Sequence, residues 1–403
     1  MERSDKNKFL YIILLAAAGS LLYAVSAGIR QNYGVLMTAI ADNSGIPFAS
    51  VSFIVAVGKL VFGITQPLFG AIALKRSNRF VLLSGSVLGI LGLVMIPLCK
   101  SIIPLFLFLG IILPAGTGAI SFGVIMGALT PLLQPAAAAT VSGIVSASSG
   151  LGNIFLSPIL QNILEVSGLS MAVYFLALLV LILMPVSVGI TGRKQNSGVS
   201  EKTTEDRDRS IPAMIRDAVR NPNYIFLTLG FFTCGYHMGI VEMHYFNQVV
   251  VLGFPEKTAA LALSIFGITS ILGSLLSGIL CSRMKKKNVL VLIYGSRVIA
   301  VLAFLLLPKN IALIYGAAAL FGFIGSGTVP PTSGLVEHYF GAAKLALLFG
   351  FSFMVNQSGA FLSVWLSGLC VSRTGSYTIM WISSLILCAG AALICGRIKE
   401  DAE

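Results

Sequence analysis

The chain has 403 residues, of which 56% are hydrophobic and only 10% charged, with a formal net charge of +12. No soluble core needs that much apolar surface, and runs of roughly 20 apolar residues, each long enough to cross about 30 Å of hydrocarbon as a helix, recur throughout. Barrel strands alternate polar and apolar residues and these runs do not, so a membrane barrel is excluded. The predicted spans lie near 9–38, 47–71, 80–98, 102–130, 137–163, 169–190, 222–250, 257–282, 288–307, 310–335, 342–370 and 375–396, numbered here as spans 1 to 12. The first run has no A-x-A-like cleavage site after it and is too long for a signal core, so it is expected to remain a transmembrane helix.

With both termini placed in the cytoplasm, the inside segments hold twenty of the 27 lysines and arginines and the outside segments four. That asymmetry is the positive-inside pattern. It explains the net charge without nucleic acid, and no nucleic-acid partner is expected. A multi-pass protein of the plasma (inner) membrane is expected. The six cysteines lack the short paired spacing of a zinc site and read as reduced, buried small hydrophobes.

Span 1 carries Tyr23, Ser26, Arg30 and Tyr33 at steps of three, four and three, one stripe of an α-helix. Arg30 is its only charge. A guanidinium stays charged and grips a carboxylate through two parallel bonds; the alternative is a residue snorkelling to the outer interface. Span 2 holds Lys59, whose helical neighbours are apolar. In span 4 Pro114, and in span 10 Pro330 and Pro331, sit near Gly-x-Gly sequences and can kink or hinge their helices. Small residues spaced by four (Gly123 and Gly127, Ser146 and Gly150, Gly273 and Ser277) allow close helix packing.

The only long polar stretch, residues 191–221, reads as a cytoplasmic linker. Its end, 211–220, is weakly amphipathic and suited to the membrane surface. It separates an N-terminal six-helix bundle, 1–190, from a C-terminal one, 222–403. The halves read as a parallel repeat: Gly70 matches Gly278 at an offset of 208, and Gly116-Thr117-Gly118 matches Gly325-Ser326-Gly327 at 209. Gly150 matches Gly359, also at 209. By that offset Arg30 falls near Met238. Spans 1 and 7 are then equivalent helices beside a site on the pseudo-twofold axis.

Span 7 repeats the pattern with Thr233, His237, His244 and Gln248. The two histidines share a face about 10 Å apart along the axis, whereas Glu242 is turned roughly 140° from His237. The expectation places the histidines on a cavity, where they bind substrate or relay a proton. Two neutral histidines hydrogen-bonded between helices are the alternative. Glu242 is expected to pair with a buried cation or couple a proton, and Lys59 and Arg297 are the candidate partners. Asn356 and Gln357 of span 11 are neutral hydrogen-bonders.

The loop Gly70–Arg79, GAIALKRSNR, resembles the G-x-x-x-D-R-x-G-R-R gating loop of the major facilitator superfamily, with Gly70, Lys75 and Arg79 at its key positions. Leu74 stands where the acid is expected and Ser77 where the glycine is. The second copy, GILCSRMKKK, keeps Gly278 and Arg283 and has Ser282 at the acidic position. Within the superfamily, GIRQNYGVL (28–36), GITQPLFGA (63–71), GFFTCGYHMGIVEMH (230–244) and LIYGSR (292–297) resemble the bacterial monocarboxylate-transporter-like branch. The resemblance implies an all-α integral membrane protein, twelve transmembrane helices in two pseudo-twofold-related six-helix bundles. Relatives in that branch keep a span 8 arginine where this chain has Gly273-Ser274-Leu275. Oxalate exchangers carry a lysine near Asn356 and Gln357, and its absence here argues against a dianion.

The expectation is a secondary transporter, a proton symporter among the options, for a small organic anion such as a monocarboxylate. Substrate contacts are expected from Arg30, Tyr33, His237, His244, Asn356 and Gln357. An exporter of amphiphilic or uncharged solutes and a non-transporting sensor or receptor are the alternatives. There is no H-E-x-x-H, no serine elbow and no spaced carboxylate pair on a span, so no catalytic residue, metal or cofactor is expected. The expected partners are the substrate, protons and the lipid bilayer, and the chain is expected to be a monomer.

Overall fold

In the computed structural model, residues 2–133, 141, 143–191 and 211–400 are described. They are helical throughout, with no strand among the described residues. Among the described residues, eleven helices are long and apolar enough to cross a membrane. One of them, Gly143–Thr191, has 49 residues, twice a span's need, and turns at Gly168, whose φ of +75° only glycine adopts without strain. It holds spans 5 and 6, which restores the count of twelve. Most of the predicted linker, residues 192–210, lies outside the described residues; its end forms the helix Ile211–Arg220.

The chain forms two compact units, Met1–Gly198 and Val199–Glu403. Each pairs its helices in the same order. In the first, span 1 packs on span 5, span 2 on span 4, and span 3 on span 6; in the second, span 7 packs on span 11, span 8 on span 10, and span 9 on span 12. Helix starts agree with the repeat as well. Ser77 precedes span 3 and Lys285 precedes span 9, 208 residues apart.

Lipid supplies no hydrophobic drive between helices, so small residues at the crossings set these pairings. Gly28 of span 1 meets Gly152 of span 5 backbone to backbone. A side chain at Gly235 or Gly239 of span 7 would run into the Asn356 carbonyl or Ser363 of span 11. Gly273 of span 8 presses on the Phe323 backbone of span 10, and Ser277 donates to the Gly327 carbonyl at 2.5 Å. Gly123, in contrast, faces open space and packs on nothing.

Four spans depart from regular helix, and two of them, spans 4 and 10, do so beside the prolines and Gly-x-Gly sequences noted above. Span 1 stops at Gln31; Asn32 (φ −97°, ψ 8°) interrupts it and Tyr33–Ser44 continues. Span 4 contains a π-helical run, Phe106–Ile112, and breaks again at Ile120, after Pro114 and its Gly-x-Gly. Span 5 carries a second π-run, Gly152–Leu156, at its crossing with span 1. In span 10 a 3-10 turn, Ser326–Thr328, precedes Pro330 and Pro331. The six cysteines are free; Cys99, Cys234, Cys388 and Cys395 are buried, Cys281 and Cys370 half-buried.

Candidate functional site

Gly28 and Asn32, one turn apart, face span 5. Asn32 is fully buried: its amide donates to the Gly28 carbonyl at 2.8 Å and to Asn153 Oδ1 at 3.4 Å. Ser157 donates to Asn32 Oδ1 at 2.6 Å. These bonds satisfy polar groups at the break in span 1 and the π-run of span 5. Arg30 lies about 200° around the helix from Gly28, so it points away from span 5 and towards span 2. Its guanidinium carbon sits 3.9 Å from the centre of the Phe62 ring, and Nε donates to the Ser26 carbonyl at 3.3 Å.

Among the described residues the two terminal nitrogens of Arg30 carry no hydrogen bond. Nearby polar atoms on the same two helices are also unspent: Gln31 Oε1 and the Tyr33 hydroxyl on the first, Gln66 Nε2, one turn beyond Phe62, on the second. Buried polar atoms normally find partners, so these, on turns adjoining Arg30 and Phe62, are candidate contacts for a polar ligand. The acids among the first 190 residues are Glu2, Asp5, Asp42 and Glu165; Asp42 and Glu165 are both exposed. Lys59, half-buried, lies one turn from Phe62.

The span 7 stripe turns the other way from the expectation. His237 Nδ1 bonds Ser384 of span 12 at 2.9 Å, and its ring stands edge-on to Phe321 and Trp381. His244 bonds the Tyr377 hydroxyl at 3.2 Å and donates from Nε2 to the Val364 carbonyl at 2.9 Å. Gln248 accepts from the Trp381 indole at 3.0 Å. His237, His244 and Gln248 thus bond to spans 11 and 12 of their own bundle, as in the hydrogen-bonded alternative, while His237 Nε2 is buried without a hydrogen-bond partner among the described residues. Periodicity groups residues on a face but does not say which neighbour the face meets. Glu242 instead shares a half-buried face with Met238. The helix Pro222–Val251 runs unbroken through Gly235 and Gly239, which serve the contact with span 11 rather than a kink.

Those crossings also correct the repeat register. Gly239 meets Ala360 as Gly28 meets Gly152, so span 7 is offset from span 1 by 211. Arg30 then corresponds to the buried Val241, not Met238. Asn356 donates to the Phe231 carbonyl at 2.8 Å and Gln357 donates to Asn356 Oδ1 at 3.1 Å, tying span 11 to span 7.

Arg297 is fully buried inside the C-terminal unit. Its Nη2 donates to the Gly325 and Ile324 carbonyls at 2.7 and 3.1 Å and to Cys234 Sγ at 3.3 Å. The carbonyls end a helix, where the dipole is negative, so Nη2 is met by span 10, while Nε and Nη1 are buried without a hydrogen-bond partner among the described residues. Of the gating loops, the Lys75 side chain lies outside the described residues. Arg79 is exposed beside the start of span 3, and Gly70 and Gly278 have open space around them. Arg283 is exposed at the end of span 8.

Replacing His244 with alanine is expected to remove two interhelical bonds and leave a cavity, at a cost of about 2 kcal/mol. The melting midpoint in detergent should fall by several degrees while ligand affinity holds. Unchanged melting with lost affinity would return the histidine to the substrate.

The sequence profile of the Major Facilitator Superfamily matches residues 19–364 and 251–401. Monocarboxylate transporter 13 of Rattus norvegicus is 23% identical over 376 residues, 93% of this chain and 84% of that protein. The oxalate:formate antiporter of Oxalobacter formigenes is 20% identical over 399 residues, covering 97% and 92%. Among solved structures, the D-xylose-proton symporter shares the fold with a TM-score of 0.74 at 14% identity, covering 97% of this chain and 98% of its own. Twelve apolar spans in two like-ordered bundles, matched along nearly their whole length, make this chain a member of the Major Facilitator Superfamily, a multi-pass membrane transporter and not an enzyme.

Proposed function

We propose that the protein is a secondary transporter of a small monocarboxylate, held by Arg30 and working by alternating access. The observation that carries the reading is the Arg30 guanidinium: pinned by Phe62 and Ser26, with free terminal nitrogens and idle polar atoms on the neighbouring turns. A guanidinium with two open N–H edges suits the two oxygens of one carboxylate. Gln31, Tyr33 and Gln66 supply groups for a polar substituent on the same solute. The names of the similar monocarboxylate and oxalate:formate carriers agree with an anion. Glu242, the one carboxylate placed mid-span, is the group proposed to carry a coupled proton.

The membrane proposed is the plasma (inner) membrane with both termini inside, on the distribution of basic residues. A counterflow screen in proteoliposomes loaded with lactate tests the substrate class. Small monocarboxylates are expected to compete, and neutral amides of equal size are not. Competition by neutral compounds alone would favour an exporter of uncharged solutes instead.

A further inference from the structure

The two gating loops lead into span 3 and span 9, and each helix start needs its free N–H groups met. In the first copy Ser77 does so: it is the N-cap of span 3 and its hydroxyl accepts from the Phe80 N–H at 3.1 Å. The repeat puts Lys285 at the equivalent place, and Lys285 makes no side-chain cap. Lys285, Lys286 and Lys287 crowd the positive end of the span 9 dipole, where cations are unfavourable. Neither copy keeps the family acid; Ser282 stands in its place here.

The end of the chain fills that place. The Glu400 carboxylate, 8% exposed, accepts the Lys286 N–H on Oε1 at 3.0 Å and the Lys287 N–H on Oε2 at 2.9 Å. Lys286 Nζ lies 3.8 Å from Oε1. The backbone that delivers Glu400 is tied down as well. Lys287 Nζ donates to the Ile398 carbonyl at 2.9 Å and Lys285 Nζ to that of Glu400 at 3.3 Å. Tyr339, at the end of span 10, donates to the Lys399 carbonyl at 2.5 Å, and the Lys399 N–H donates to Asn223 of span 7 at 3.0 Å.

We propose that Glu400 is the acid of the second gating loop, supplied from the C-terminal tail. It is a positioning residue that holds the start of span 9 against the adjoining ends of spans 7 and 10 through the transport cycle. That carboxylate meets two backbone donors and a cationic loop at once, supplying negative charge to a loop whose own acidic position is Ser282. The transport consequence rests on the proposed carrier reading; the latch itself does not.

Hydrogen exchange on the full-length protein in detergent, with wild type, Glu400→Gln and Glu400→Asp, tests the latch without any substrate. The Lys286 and Lys287 amides are expected to exchange about five- to tenfold faster in Glu400→Gln, the size of a lost charged cap, and Glu400→Asp is expected to recover part of the protection. Unchanged exchange in Glu400→Gln would overturn the latch. Lactate uptake in proteoliposomes then reads the gate. Turnover is expected to fall in Glu400→Gln with half-saturation unchanged, and to recover in Glu400→Asp. Faster exchange with normal turnover, or a shift in half-saturation alone, would overturn the positioning role. If wild type carries no lactate, the carrier reading fails while the exchange result still decides the latch.

Discussion

Replacing Arg30 with glutamine is expected to reduce lactate uptake by about 10- to 100-fold, the value of a charge-assisted pair of hydrogen bonds. The loss should appear mainly in half-saturation, since the guanidinium binds the solute and takes part in no bond-making. Arg30→Lys should fall between the two, because an ammonium keeps the charge but not the two parallel donors. Phe62→Leu should cost less, about threefold, by removing the ring that holds the guanidinium 3.9 Å from its centre. Uptake kinetics in proteoliposomes at matched protein density check the series. Wild-type kinetics in Arg30→Gln would sink the assignment and leave the twelve-span fold untouched.

The second large effect is on folding. A valine at Gly235 is expected to cost about 3 kcal/mol or more, near the upper end of overpacking. The Cβ would meet the carbonyl oxygen and carbon of Asn356, which are backbone atoms that cannot rotate away. Spans 7 and 11 would have to separate, breaking the Asn356 bond to the Phe231 carbonyl and that of Tyr224 to the Leu348 carbonyl. Gly295→Ala provides the contrast. It lies mid-helix in span 9 with nothing within 4 Å of the added carbon, so stability should hold or rise by up to about 1 kcal/mol. Thermal unfolding in one detergent, followed by size-exclusion of the heated samples, separates the two. Equal midpoints would show that the 7–11 crossing tolerates separation.

Much of the architecture is legible in the sequence because the bilayer imposes it. Span length follows from hydrocarbon thickness, and the six-plus-six division follows from one polar stretch. The repeat is readable to the residue at the helix starts Ser77 and Lys285. The register of span 7 is not, because a single offset ignores the extra residues before its crossing with span 11. The direction of the polar stripes is likewise hidden. Arg30 and His237 look alike as polar residues on a helical stripe, yet the side chain of one lies on Phe62 of span 2 and the other is bonded to Ser384 of span 12. Only the positions of Gly28 and Gly235, read as crossings, tell which side of each helix is covered. The Asn32 break had one sequence cue, the polar run Arg30-Gln31-Asn32. The π-runs at 106–112 and 152–156 had none, and Glu400 sits in a tail that composition alone gives no reason to notice.

The central claim is that a carboxylate meets Arg30, and equilibrium binding tests it most directly. Calorimetric titration of lactate and of lactamide into purified wild type and Arg30→Gln separates charge from shape. Wild type is expected to bind lactate and not lactamide, and Arg30→Gln neither. Equal binding of lactate by both proteins would contradict the account.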